Sequence, residues 1–176
     1  DPRILAALDA VARERFVPAA SRALAYADVP VPVAPGRFLL DPRSFAKLVQ
    51  LAEVKADDKI LDVGCATGYS SAVLGRLGGY VVALEQDADL VRIATETLAG
   101  AIGRVTVTQG ALIEGFAGEA PYDVIFVNGA IEQPPETLLS QLAEGGRLVA
   151  VLRERAHGRA QLLLKEHGVI GQRPDF

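Results

Sequence analysis

The sequence predicts an α/β fold: a doubly wound, mostly parallel sheet with helices on both faces, preceded by an N-terminal helical arm. Three observations carry this expectation. From residue 55 onward, short β-rich runs alternate with helix-length segments, the pattern that right-handed crossovers turn into a parallel sheet. The first of those runs is followed by a small-residue loop, Gly64-Cys65-Ala66-Thr67-Gly68, that leads into a helix. Half of the 176 residues are apolar and 23% are charged, an ordinary globular composition. A chain of this length can bury about 70% of its unfolded surface, so one domain over 1–176 is expected, with 1–54 as arm and substrate loop and 55–176 as the α/β core.

Taken in order, Ile4, Leu5, Leu8, Val11, Ala12 and Phe16 recur at helical spacing, which predicts an amphipathic helix over Pro2 to Phe16. Pro30, Pro32 and Pro35 forbid helix, so Val29 to Pro35 should run extended over the surface. Asp41-Pro42 reads as an N-cap with proline at the first helical position, opening a helix to about Glu53 with Phe45, Leu48, Val49 and Ala52 inward. Strands are expected at Lys59 to Val63, Tyr80 to Leu84, Arg104 to Thr108, Asp123 to Asn128 and Arg147 to Leu152. Helices are expected at Gly68 to Leu77, Asp87 to Leu98 and Pro135 to Leu142, the last stopped by Gly145-Gly146. Ala160 to Leu164, with His167-Gly168 turning into Val169 to Phe176, suggests a terminal hairpin.

Charge and composition narrow the function. Eighteen Lys and Arg against 22 Asp and Glu give a net charge of -4, which speaks against nucleic acid as a partner. Apolar runs such as Tyr80 to Leu84 are far too short to cross a membrane, which needs about 20 residues. A single cysteine, Cys65, precludes an internal disulfide and makes a cytoplasmic setting the simple reading. The chain starts at Asp1 and has no Met, so a longer gene product is expected behind it. Oligomeric state is not legible.

In an open α/β sheet, ligands sit beyond the carboxyl ends of the strands where strand order reverses. The loop from Gly64 lies there, and the helix that follows offers free N–H groups. A dinucleotide fingerprint wants glycine at its first, third and sixth positions, whereas these are Gly64, Ala66 and Tyr69, which argues against NAD. Glu85 closes the second strand of the core and is placed to accept two ribose hydroxyls, or equally to open a turn before Asp87 as a solvated residue. Asp62 reads as a strand-end carboxylate that caps the loop, a role compatible with a ligand role.

The acidic Asp62 before Gly64, Ala66 and Gly68 at alternate positions, followed by Glu85, resembles the class I S-adenosylmethionine-dependent methyltransferases, which have a Rossmann-like fold. More narrowly, the chain resembles the protein-L-isoaspartate O-methyltransferase family. Arg13-Glu14-Arg15-Phe16-Val17-Pro18, Tyr26-Ala27-Asp28, Leu61 to Gly64, Gly68-Tyr69-Ser70, Ala120 to Ile125 and Gln141 to Val149 follow its pattern in order. The resemblance implies methyl transfer from S-adenosylmethionine to isoaspartyl carboxylates in damaged proteins, with S-adenosylhomocysteine as product. It implies that Asp62, Gly64, Cys65, Ala66 and Gly68 hold the methionine part, that Glu85 takes the ribose and that Gln86 lies beside the adenine. Asn128 completes the cofactor set. Where the family often has Gly-Asp, this sequence has Gly110-Ala111, so adenine would depend on groups near Ala111 and Leu112.

The substrate loop departs further. The family carries hydroxyl residues two and four positions after Gly36, the second regarded as catalytic; here those positions hold Phe38 and Leu40, so no catalytic residue is assigned. Arg37, Phe38, Leu39 and Leu40 are expected to line the substrate pocket. Thr-Ala-Ala after the fourth strand of the core is replaced by Asn128-Gly129-Ala130. An acceptor carboxylate, with a pKa of about 4, needs no general base, only donors that align it. Arg37 or Arg43 could provide a two-pronged clamp, the plainer reading of each being a solvent-facing arginine. A different acceptor, or a catalytically inactive cofactor-binding relative, therefore stands beside isoaspartyl repair. His157 and His167 have no second ligand at metal spacing, Cys65 reads as a small packing residue, and Arg153, Arg155 and Arg159 as a solvated face.

Overall fold

The computed structural model describes residues 1–100, 104–154 and 157–174. Arg155 and the last two residues of the tail run lie outside that set. Helix α1 (Pro2–Ala10) is capped by Asp1, whose carboxylate accepts from the Arg3 N–H at 2.8 Å. It ends well before Phe16. Val11 is extended and buried, and residues Arg13–Phe16 form a separate 3-10 turn. The reason is Arg13, which is buried and donates to the carbonyls of Ala25 at 2.6 Å and of Leu40, with its guanidinium 4.6 Å from the Tyr69 ring. Partnering Nε and Nη2 of this buried cation takes precedence over continuing a surface helix, while Nη1 stays buried without a hydrogen bond.

The proline-rich stretch is extended, as its composition requires, yet it is not a mere surface connection. Strands β1 (Val31–Ala34) and β2 (Arg37–Leu39) pair antiparallel in a small separate sheet, Val31 facing Leu39 and Pro32 facing Phe38 in register. Val31 is fully buried. Helix α2 (Pro42–Ala52) starts where expected: Asp41 accepts from Ser44 N–H at 2.8 Å, and Glu53 ends the helix in the left-handed region at φ 47°.

The main sheet comprises β3 (Lys59–Val63), β4 (Tyr80–Glu85), β5 (Val105–Gln109), β6 (Tyr122–Ile131), β7 (Leu142–Glu154), β8 (His157–Glu166) and β9 (Val169–Pro174). Helices α3 (Tyr69–Leu77), α4 (Ala88–Leu98) and α5 (Glu136–Ser140) connect its parallel part. The order is β5-β4-β3-β6-β7-β8-β9, parallel up to β7 and antiparallel for the terminal hairpin. The chain moves outward from β3 through β4 to β5 and then returns to β6 on the other side of β3. That reversal opens a crevice at the carboxyl ends of β3 and β6.

Helix α5 is shorter than Pro135 to Leu142 because Leu142 already pairs with Tyr122 in the sheet and Gln141 is buried, holding the Phe116 N–H and the Glu114 carbonyl. Gly145 and Gly146 do not stop a helix; they lie in a bulge of β7, between the Tyr122–Leu142 and Val124–Arg147 pairings. Neighbouring strand residues feed opposite faces of the sheet: Ile60 joins the core under α2 and α3, whereas Leu61 joins the second core with Tyr122 and Leu148. On the first face Phe45, Tyr69 and Phe126 form a ring chain with centroids 5.1 and 5.8 Å apart, which ties the arm to the sheet.

Candidate active site

Residues after β3 turn sharply back over β4. Gly64 and Cys65 donate their N–H groups to the Leu84 carbonyl at 2.9 and 3.1 Å, and Gly64, Ala66 and Gly68 all have positive φ, at 75°, 51° and 97°. Glycine is favoured at position 68 on two counts: its φ, and a Cβ there would come within 2.9 Å of the Leu98 side chain, which would have to shift. Asp62 underpins the turn. Fully buried, it accepts from the hydroxyls of Ser70 and Ser71 at 2.6 and 2.5 Å and from Asn128 Nδ2. Burial pushes its carboxyl up to about 6, against the pull of those three donors. Asp62 therefore holds the loop and the start of α3, with both oxygens engaged. Cys65 is buried, and that burial raises its thiol far above the ordinary range, so it acts as packing and not as a nucleophile.

Glu85, at the end of β4, does not open a solvated turn: it is wholly buried. Its Oε1 accepts from the N–H groups of Gln86 and Asp87 at 2.9 and 3.1 Å, and its Oε2 from the Ala66 N–H at 2.9 Å. Arg37 completes the set from β2, with Nη1 to Oε1 at 2.7 Å and Nη2 to Oε2 at 2.6 Å. Burial alone would raise the Glu85 pKa; the guanidinium and the backbone donors outweigh it and hold the carboxyl below its ordinary value. Arg37 is thus neither solvent-facing nor open for a substrate in this structure. Its Nη2, with the Leu112 side chain, lies over Gly64, 3.6 and 3.5 Å from where a Cβ on that glycine would stand.

Beside this closed corner lies a cavity of about 570 Å³ whose lining includes Val63, Gln86, Leu112, Asn128, Gly129 and Leu138. Five of these come from the ends of β3, β4 and β6 and from the turn after β5, so the cavity occupies the switch point. A similar hollow of about 610 Å³ lies between α1 and α2, bordered by Leu77 and Arg173, and includes none of the loop residues. Ala111 is exposed at the start of the turn that carries Leu112.

The expected apolar substrate pocket is not formed. Residues alternate along β2: Arg37 and Leu39 turn inward, while Phe38 is 56% exposed. Leu40 is half-buried against the core, and its carbonyl serves Arg13. Neither Phe38 nor Leu40 lines the cavity. Arg43 is exposed. Two groups essential to the geometry escape sequence reasoning: the Ser70-Ser71 pair under Asp62, in the first turn of α3, where Ser70 stands in a matching motif without an assigned role, and Arg13, likewise with no signal beyond its place in such a motif.

With Arg37 moved off Glu85, the arrangement can accept a small molecule with two adjacent donors. The Glu85 oxygens already receive two parallel N–H groups from a planar fork, a spacing that suits the two hydroxyls of a ribose. Gly64 adds no side chain of its own beneath Arg37 and Leu112, and Val63 and Leu112 offer apolar surface beside Gln86. A nucleoside cofactor fits these residues once the guanidinium has moved.

Comparison with known proteins follows the same direction. The family described as Protein-L-isoaspartate(D-aspartate) O-methyltransferase matches residues 1–174. A protein-L-isoaspartate O-methyltransferase of Rhodopseudomonas palustris is 41% identical over 150 residues, 85% of this chain and 69% of that protein. Among solved structures, a protein-L-isoaspartate O-methyltransferase superposes with a TM-score of 0.87 at 24% identity, covering 100% of this chain and 59% of the other. A second, a protein from Plasmodium falciparum described as a putative member of that class in complex with S-adenosyl-L-homocysteine, gives 0.84 at 22% identity, covering 100% and 87%. The chain thus spans well under two thirds of the first of these structures.

Proposed function

The chain belongs to the protein-L-isoaspartate(D-aspartate) O-methyltransferase family, and from that premise we propose that it transfers a methyl group from S-adenosylmethionine to the carboxylate of isoaspartyl residues in proteins. The observation that carries this reading is Glu85, a buried carboxylate at the end of β4 whose two oxygens receive a planar two-pronged donor, beside a glycine loop at the switch point. The cofactor supplies an already activated methyl group. The protein has to position and exclude water. In this reading Glu85 accepts the ribose hydroxyls, and Gly64 to Gly68, braced by Asp62 and Asn128, leave room for the methionine part. Gln86, Ala111 and Leu112 flank the adenine.

The acceptor carboxylate is ionised at neutral pH, so the protein needs donors to align it and no base. Moving it into the crevice without such donors costs several kcal/mol, a barrier of several powers of ten. A cytoplasmic setting belongs to the same reading, supported by the buried free thiol of Cys65. Among the described residues, no helix is long and apolar enough to cross a membrane.

The decisive experiment offers radiolabelled S-adenosylmethionine with an isoaspartyl peptide and with its aspartyl twin. Base-labile methyl incorporation into the first alone is expected; none into either overturns the reading. A second reading, methylation of a different acceptor, is favoured by one specific feature, the absence of hydroxyls at Phe38 and Leu40. It predicts thermal stabilisation by S-adenosylhomocysteine without isoaspartyl turnover.

A further inference from the structure

The Glu85 carboxylate is overcommitted. Its two oxygens receive five donors: three backbone N–H groups and the two prongs of Arg37. A carboxylate offers about four lone-pair sites. No acceptor capacity is left for two ribose hydroxyls, so something must leave when a nucleoside binds. The backbone donors are fixed by the loop and by the start of α4. Arg37 alone stands on a side chain that can swing, on a three-residue strand, next to a turn at Gly36, with 23% of its side chain exposed.

A guanidinium expelled from a carboxylate inside a crevice is left uncompensated unless it meets another anion. The reaction supplies one: the acceptor is itself a carboxylate, with the planar two-oxygen geometry that the arginine fork matches. The same short strand carries Phe38 and leads to Leu40, where the donors expected for that acceptor are missing. We propose that Arg37 is the acceptor-carboxylate clamp of this site, stored on Glu85 until the two hydroxyls of the cofactor ribose displace it. This rests on the methyltransferase reading above. Arg37 thereby couples the two ligands: cofactor binding releases the clamp, and acceptor binding keeps it from returning.

The test uses isothermal calorimetry with S-adenosylhomocysteine and an isoaspartyl hexapeptide, on the parent chain and on Arg37→Ala and Arg37→Lys, each checked for a cooperative melt. If the stored form makes up about 90% of unliganded molecules, Arg37→Ala should bind S-adenosylhomocysteine about tenfold more tightly, because the competitor is gone. The peptide should bind the S-adenosylhomocysteine complex of the parent chain more tightly than the free chain, and that coupling should vanish in Arg37→Ala. Arg37→Lys, which keeps the charge without the fork, should fall between the two. Equal or weaker S-adenosylhomocysteine binding by Arg37→Ala shows that Arg37 only braces Glu85 and overturns the proposal while leaving the methyltransferase reading intact. Undiminished coupling does the same. Failure of the parent chain and of both variants to bind S-adenosylhomocysteine overturns both.

Discussion

Two arginine–carboxylate pairs sit at opposite ends of the sheet and are built for opposite purposes. At the amino end, Arg147 on β7 bonds Asp58 and also donates Nε to the Ala52 carbonyl at 2.8 Å and Nη2 to the Glu53 carbonyl at 3.2 Å. It thereby closes the last turn of α2, whose final carbonyls would otherwise lack partners. Both side chains are more than nine-tenths buried. At the carboxyl end, Arg37 bonds Glu85 with a better two-pronged geometry, yet it is partly exposed and stands on a short hairpin. A short distance does not distinguish a structural pair from an exchangeable one. The difference lies in how many fixed groups share the arginine, and in whether the acid keeps other donors once the arginine has gone.

Breaking the amino-end pair should have the largest effect. Arg147→Ala leaves Asp58 buried with only the Lys55 N–H and frees two helix carbonyls. A loss of about 3–5 kcal/mol is expected in urea denaturation. A loss under about 1 kcal/mol would place this pair in the exchangeable class and remove the contrast.

Next comes a titration that sets the two acids of the carboxyl end against each other. Asp62 has its carboxyl raised from 3.8 to about 6, so the folded chain keeps a proton that the unfolded chain has released. Its contribution to stability is full below pH 3.8 and is lost as pH rises through about 6, at most about 3 kcal/mol. Glu85 is lowered from 4.5, so its contribution is present above pH 4.5 and is lost as pH falls through its folded value. Melting midpoints from about pH 4 to 7 should therefore show a decline that flattens in Asp62→Asn. An unchanged slope in that variant would assign the decline to other groups.

The smallest expected effect is the folding cost of Arg37→Ala, about 1.5 kcal/mol, because the buried Glu85 loses a charge-assisted partner but keeps three backbone donors. A loss as large as that of Arg147→Ala would make the two pairs alike and Arg37 a brace.

The strands of the core and the helices from Asp41 and Asp87 are legible in the sequence because their signals are local: an acidic N-cap, a period of apolar residues, a glycine loop. The elements that deviate are those governed by distant partners. Helix α1 stops at Ala10 because Arg13 is pulled inward by carbonyls from Ala25 and Leu40. Helix α5 is cut short because Gln141 serves the turn after β5 and Leu142 joins Tyr122. The site divides the same way. Asp62, Gly64, Glu85 and Asn128 converge where sequence places them, since strand order alone brings β3, β4 and β6 together. Phe38 and Leu40 do not form the pocket their position suggests, because β2 pairs with β1 and its two-residue alternation turns Phe38 outward.

By itself, the order of residues determined the family, the parallel core and the acidic residue waiting beyond its second strand, since each depends on spacing along the chain. Tertiary structure alone decided that this acid is already occupied, and by which side chain. Arg37 and Glu85 are far apart in sequence and their attraction has no periodic signature. Only the folding of the hairpin against the sheet brings the guanidinium within 2.6 Å of the carboxylate, with the acid shielded from water and the arginine partly exposed.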